Sequence, residues 1–110
     1  MGDERVRRIA ANEAVARQVN ERLEDLNEVF SAFIDSFAII CECGDVGCTE
    51  QIHLSRADYS QLRSDPTHFA VIPGHELPDT EYVVERRQGY DVVSKREGLP
   101  ARLAEATDPK

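Results

Sequence analysis

The sequence predicts an α+β protein: a long N-terminal helix followed by a small, mainly antiparallel sheet with one short helix. Three observations carry that expectation. Residues 4–33 contain neither proline nor glycine and are rich in Ala, Glu, Arg and Leu, which are strong helix formers. Beyond Ser36 the chain breaks into short apolar or alternating runs separated by Gly, Pro and Asp, the pattern of strands and turns. The third is the stretch "IICECGDVGC", residues 39–48, which holds all three cysteines of the chain. At 110 residues this is one domain by size. Its parts are a helix over 1–36 for self-association or docking, an α+β unit over 37–96, and a C-terminal tail over 97–110.

Within the helix, Val15, Val19, Leu23, Leu26, Phe30 and Phe33 recur at steps of three and four, which places them on one stripe. Glu13 and Arg17 stand in the favourable acid-then-base order at i,i+4. Such a helix is about 40 Å long at 1.5 Å per residue, more than the rest of the chain can cover as a compact body. Part of the stripe therefore calls for a partner, either another protein or a second copy in a homodimer. The alternative is a break near Asn12 or Asn20, both poor interior residues, with the helix packed entirely on its own domain.

Residues 37–40, "FAII", read as a buried strand and residues 49–54, "TEQIHL", as an alternating one. Paired as a hairpin, they put the cysteine loop at its tip. Ser55 reads as a helix N-cap, with Asp58 in the capping-box position and Leu54 and Tyr59 in the staple relation. That helix is short because Asp65-Pro66 ends it. Residues 69–72, "FAVI", make a third strand, and "PGHELPD", residues 73–79, a loop. Residues 82–87 and 90–95 form a hairpin around Gln88-Gly89, in a register that sets Val84 against Val93 and Arg86 against Asp91. From Gly98 onward a short helical turn and a loose end are expected.

Composition narrows the functions. Hydrophobic content of 41% and charged content of 31% are those of a globular chain. A net charge of −8 argues against a general nucleic-acid binder, whose affinity comes from Lys and Arg on phosphates. No apolar run approaches the roughly 18 residues of a membrane span. The N-terminus has no secretory pattern, and Gly2 lacks the Ser or Thr at position six of a myristoylation motif. The expected location is cytoplasmic, where thiols stay reduced and clustered cysteines lean toward metal or redox chemistry.

Cys41 and Cys43 are too close in sequence for an unstrained disulfide, and three cysteines leave one over in any pairing. A plain core role fits poorly with Glu42, Asp45 and Glu50 beside them. Gly44 and Gly47 let the backbone take positive φ and fold tightly, and a tight loop brings three thiolates onto one point. Three sulfurs want a fourth ligand for a tetrahedral structural zinc site. His75, in a constrained Pro-Gly-His turn, is the first candidate; His53, on the second strand, and His68, in "DPTHF", follow. A unit this small is near the limit where a core alone suffices, and zinc can add on the order of 10 kcal/mol. The fold class becomes a zinc-stapled α+β unit on Cys41, Cys43, Cys48 and His75, with Zn2+ as cofactor.

Three other readings compete. An iron–sulfur site on three cysteines and a histidine lacks ferredoxin spacing. A thiol redox sensor needs a low-pKa cysteine, and the neighbouring acids push the other way. A metal-dependent enzyme would use a three-cysteine site, with or without a histidine, and Glu42, Glu50 or Glu76 as base. None of the common catalytic motifs is present, so no catalytic residue is assigned.

Four segments, "NEAVARQVNERLEDLN", "CECGDVGCTEQIHL", "DPTHFAVIPGHELPD" and "YVVERRQGYDVVSK", together resemble a group of small uncharacterised bacterial proteins with a CxCG-x3-C element and a PGH element. The resemblance runs over roughly residues 12–95. It implies that Cys41, Cys43, Cys48 and His75 belong to the shared motifs, and it implies no activity. The expectation from sequence is a non-enzymatic zinc-binding protein serving as a protein-interaction or regulatory module.

Overall fold

The N-terminal run of helix formers is one unbroken helix, α1 (Gly2–Glu28), in the computed structural model, which describes residues 2–28, 36–45 and 47–109. Asp3 and Glu4 lie in its first turn, where negative charge suits the helix dipole. Asn12 and Asn20 do not break it. The expected positions Phe30 and Phe33 lie outside the described residues, as does the end expected near 33. Val15, Val19 and Leu26 are 60%, 39% and 66% exposed, so the apolar stripe points away from the body. The body side of α1 is instead Ile9, Glu13, Ala16, Arg17 and Asn20, all buried.

Strands β1 (Ser36–Ile40) and β2 (Gln51–Ser55) pair antiparallel around the cysteine loop. Phe37 opposite Leu54 and Ile39 opposite Ile52 fill one buried face. Helix α2 (Arg56–Arg63) follows directly: Ser55 Oγ accepts from the Asp58 amide at 3.1 Å, satisfying one of the free amides of the first turn. Its buried residues include Tyr59 and Leu62. A second sheet holds β3 (His68–Val71), β4 (Glu81–Arg87) and β5 (Tyr90–Lys95) in the order β3-β5-β4, antiparallel throughout.

Arg86 does face Asp91, but Val84 does not face Val93. A bulge between Val83 and Glu85 leaves Val83 opposite Val93 and Val84 unpaired. The physical reason lies one turn of the register away. Without the extra residue Tyr82 would oppose Lys95; with it, Glu81 does. A one-residue shift exchanges the faces of a strand, so the bulge buries Glu81 beside Lys95 and leaves Tyr82 exposed. The chain after Gly98 is more than a loose end. Gly98 takes φ +97° and leads into α3 (Leu99–Ala106), with proline in its first turn.

One apolar cluster runs from Phe37, Ile39, Ile52 and Leu54 through Tyr59, Leu62, Phe69 and Val71 to Tyr90 and Val93, and takes in Cys41 and Cys43. Among the described residues α1 contributes nothing to it. The helix is held by the buried Ile9 and Ala16 and by polar contacts. Arg17 donates to the carbonyls of Pro66 at 2.6 Å and Ala104 at 2.7 Å, with its guanidinium 4.4 Å from the Phe69 ring centre. Lys95 Nζ lies 2.7 Å from the carboxylates of both Glu13 and Glu81. Burial pushes the Glu13 carboxyl up to about 8, with the Lys95 charge opposing the shift. Glu13 therefore does not form the surface pair with Arg17 that its spacing suggests. Among the described residues no helix is long and apolar enough to cross a membrane.

Candidate metal centre

The loop between β1 and β2 keeps strand-like alternation through its first residues. The sulfurs of Cys41 and Cys43 join the cluster of candidate ligand atoms, and the side chain of Glu42, between them, goes to other partners. The Cys41 amide donates to Glu50 O at 2.8 Å, extending the hairpin ladder by one step. The loop then turns through Asp45: its Oδ1 accepts from the Gly47 amide at 2.9 Å, and its carbonyl from the Cys48 amide at 3.0 Å. That turn brings Cys48 back over Cys41.

The expected role of the glycines needs correcting. Among the described residues only Gly74, Gly89 and Gly98 have positive φ. Gly44 is required for closeness instead: a Cβ there would stand 2.7 Å from Ile9 Cγ2 on α1. At Gly47 the nearest atom would be 3.4 Å away, an ordinary contact.

His75 arrives from the loop after β3. Its amide donates to Ile72 O at 2.9 Å, closing a turn over Pro73 and Gly74, and Gly74 takes φ +93°. Proline followed by a positive-φ glycine is the sequence of a type II turn. The turn sets His75 Nδ1 3.7 Å from Cys41 Sγ and 3.6 Å from Cys48 Sγ. The Sγ atoms of Cys41, Cys43 and Cys48 and a ring nitrogen of His75 all lie within 4.8 Å of one another. His53 is exposed on β2, and His68 lies 3.3 Å from Asp65; neither joins the cluster.

These distances suit a single tetrahedral ion. With metal–sulfur bonds of about 2.3 Å and a metal–nitrogen bond of about 2.0–2.1 Å, tetrahedral angles give N···S separations of about 3.6 Å. The surroundings fit as well. His75 Nε2 lies 3.1 Å from Glu50 Oε2, so a proton on Nε2 leaves the Nδ1 lone pair for the cluster. The Ile72 amide donates to Cys41 Sγ at 3.2 Å, a contact that favours a thiolate. Burial nonetheless pushes the Cys41 and Cys43 thiols up, so without a bound cation they stay protonated. That shift comes from burial first and not from neighbouring acids, because Glu42 is turned away.

Glu42 is a structural pillar. Its Oε1 accepts from Arg63 at 2.7 Å and from the Ala70 amide at 3.0 Å, and its Oε2 from Asn20 Nδ2 at 2.8 Å. Its own amide donates to Ala70 O at 2.8 Å. Of the three carboxylates named as possible bases, Glu42 is thus locked and Glu50 holds the histidine. Glu76 borders a cavity of about 240 Å³ beside Cys43 and His75, and its Oε1 is buried without a partner among the described residues. Sequence reasoning missed the roles of Glu42 and Asn20. Polar residues at 13, 17 and 20, spaced four and three apart, were the available signal for an inward polar face.

The site therefore defines a protein with a Cys3His cluster placed to hold a metal ion. No protein-family model, curated protein or solved structure matches the chain.

Proposed function

We propose that the chain is a non-enzymatic zinc protein in which Cys41, Cys43 and Cys48 Sγ and His75 Nδ1 hold one Zn2+. The observation that carries this is the convergence of four ligand atoms within 4.8 Å, at N···S separations of 3.6 and 3.7 Å. A three-sulfur, one-nitrogen set is a common structural zinc site, and four protein ligands leave no position open for a substrate. An iron–sulfur cluster must seat several irons and bridging sulfides between its ligands, for which this spacing is too tight. The ion would tie the β1–β2 loop to the β3–β4 loop. Free thiols at such a site suit the reducing cytoplasm.

We further place the chain with the small bacterial proteins carrying CxCG-x3-C and PGH elements, and read it as an interaction or regulatory module. The exposed Val15, Val19 and Leu26 support self-association through α1 as a homodimer. Elemental analysis of purified protein tests the metal: about one zinc per chain is expected, with most of it lost in His75→Ala. Iron in place of zinc, or no metal, overturns the assignment. Light scattering tests the dimer. Leu26→Glu should halve the observed mass, and a monomeric parent rules the dimer out.

A further inference from the structure

The strand-like alternation of residues 40–44 gives the cysteine loop two jobs. Cys41 and Cys43 join the metal cluster, and the three residues around them are held by α1. Asn20 brackets Ile40 with both ends of its carboxamide, Nδ2 donating to Ile40 O at 2.9 Å and Oδ1 accepting from the Ile40 amide at 2.8 Å. The same Nδ2 donates to Glu42 Oε2. Asn12 Nδ2 donates to Gly44 O at 3.0 Å, and Ile9 fills the space where a Gly44 side chain would stand.

The other anchors of α1 lie away from the cysteine loop: Arg17 on the carbonyls of Pro66 and Ala104, Glu13 on Lys95, and Glu21 on the Tyr59 hydroxyl. Arg17 Nε is buried without a hydrogen-bond partner among the described residues. A buried guanidinium with one nitrogen unpaired adds less than its other contacts suggest, because desolvation offsets part of their gain. None of these contacts reaches the cysteine loop, so the shape of that loop bears on the helix through Asn12, Asn20 and Ile9.

We propose that metal binding and docking of α1 are one coupled equilibrium, so that loss of the ion releases the helix and the chain acts as a metal-responsive switch. This rests on the reading that the cluster holds zinc. Coupling between two sites is reciprocal: if the ion holds the helix, the helix must raise affinity for the ion by the same factor. The carboxamides of Asn12 and Asn20 are engaged by Gly44, Ile40 and Glu42, so an effect of theirs on affinity travels through the loop.

Two measurements on the full chain test the coupling. Zinc affinity, read by competition with a chromophoric chelator, should fall about tenfold in Asn20→Ala, within the usual range of coupling. Asn12→Ala, which removes a single hydrogen bond at a half-buried site, should fall by less and serves if Asn20→Ala does not fold. Hydrogen exchange of the wild type, zinc-loaded and zinc-stripped, should show amides of 2–28 losing protection while β3, β4 and β5 keep theirs. Unchanged affinity in the folded Asn variants overturns the proposal, as does equal protection of 2–28 in both states. Simultaneous loss across all elements also overturns it, since that is the behaviour of a plain staple. A wild type that binds zinc without these effects sinks the coupling alone; one that binds no zinc sinks the metal reading with it.

Discussion

His75 Nε2 lies 3.1 Å from Glu50 Oε2, on the side of the ring opposite the cysteine sulfurs. The contact spans two loops, since Glu50 precedes β2 and His75 follows β3. A carboxylate in this position fixes which nitrogen carries the proton and makes the other a better ligand. Glu50→Ala should therefore weaken zinc binding by about 10–100-fold. Glu50→Gln, which can still accept a hydrogen bond, should lose less. Chelator competition measures both, and wild-type affinity in Glu50→Ala would show that the carboxylate does not orient the ring.

The Glu42–Arg63 pair tests whether the loop is anchored from behind. Both side chains are buried and 2.7 Å apart. Glu42→Leu leaves the Arg63 guanidinium without its counter-charge in an apolar surround and should cost about 3–5 kcal/mol. The double change Glu42→Leu with Arg63→Leu should cost less than the single one, because no charge is then stranded. Urea unfolding of the three proteins gives both numbers. A double variant at least as damaged as Glu42→Leu would mean that the hydrogen bonds to Asn20 and Ala70, not the ion pair, carry the effect.

Much of this was legible in the sequence because local rules agreed with the fold. Ser55 with Asp58 marked the start of α2, Asp65-Pro66 marked its end, and the alternation of Ile52 and Leu54 marked the buried face of β2. His75 could be picked as a candidate from its constrained turn, although only the packing of two loops shows it meeting Cys41 and Cys48. The face of α1 was not legible. Pattern reading assumes that apolar residues turn inward, and here Glu13, Arg17 and Asn20 do so while Val15 and Leu26 face out. The bulge at Val84 escaped for a related reason: it serves the buried Glu81–Lys95 contact, whose third member, Glu13, is 82 residues from Lys95.

That third member predicts a pH dependence. Folding buries Glu13 and raises its pKa from an ordinary 4.5 to about 8, with the neighbouring Glu81 charge adding to the rise and Lys95 opposing it. Between those two values the folded chain holds a proton that the unfolded chain has released. Stability from this group is therefore full below pH 4.5 and falls as the pH rises toward about 8. Glu13→Gln keeps the uncharged form at every pH, so its stability relative to wild type should grow from pH 5 to pH 9. Chemical unfolding at several pH values with saturating zinc reads the difference, and curves that stay parallel would remove Glu13 as the cause.

Gly44 offers the sharpest test of how α1 meets the loop. A Cβ at this position would stand 2.7 Å from Ile9 Cγ2 and 3.2 Å from Leu77 Cδ1. Ile9 is branched at Cβ, so its Cγ2 cannot swing aside as the end of a longer side chain could. Gly44→Ala should then force the helix and loop apart and cost about 1–3 kcal/mol, the usual range for overpacking. The backbone at Gly44 is not in the left-handed region, so the cost comes from the contact and not from strain in φ. Adding Ile9→Ala removes the clashing methyl and should restore part of the loss, even though Ile9→Ala alone is destabilising. Thermal unfolding of the two single variants and the double variant decides it. Strictly additive losses would show that Ile9 and Gly44 do not meet as the structure has them.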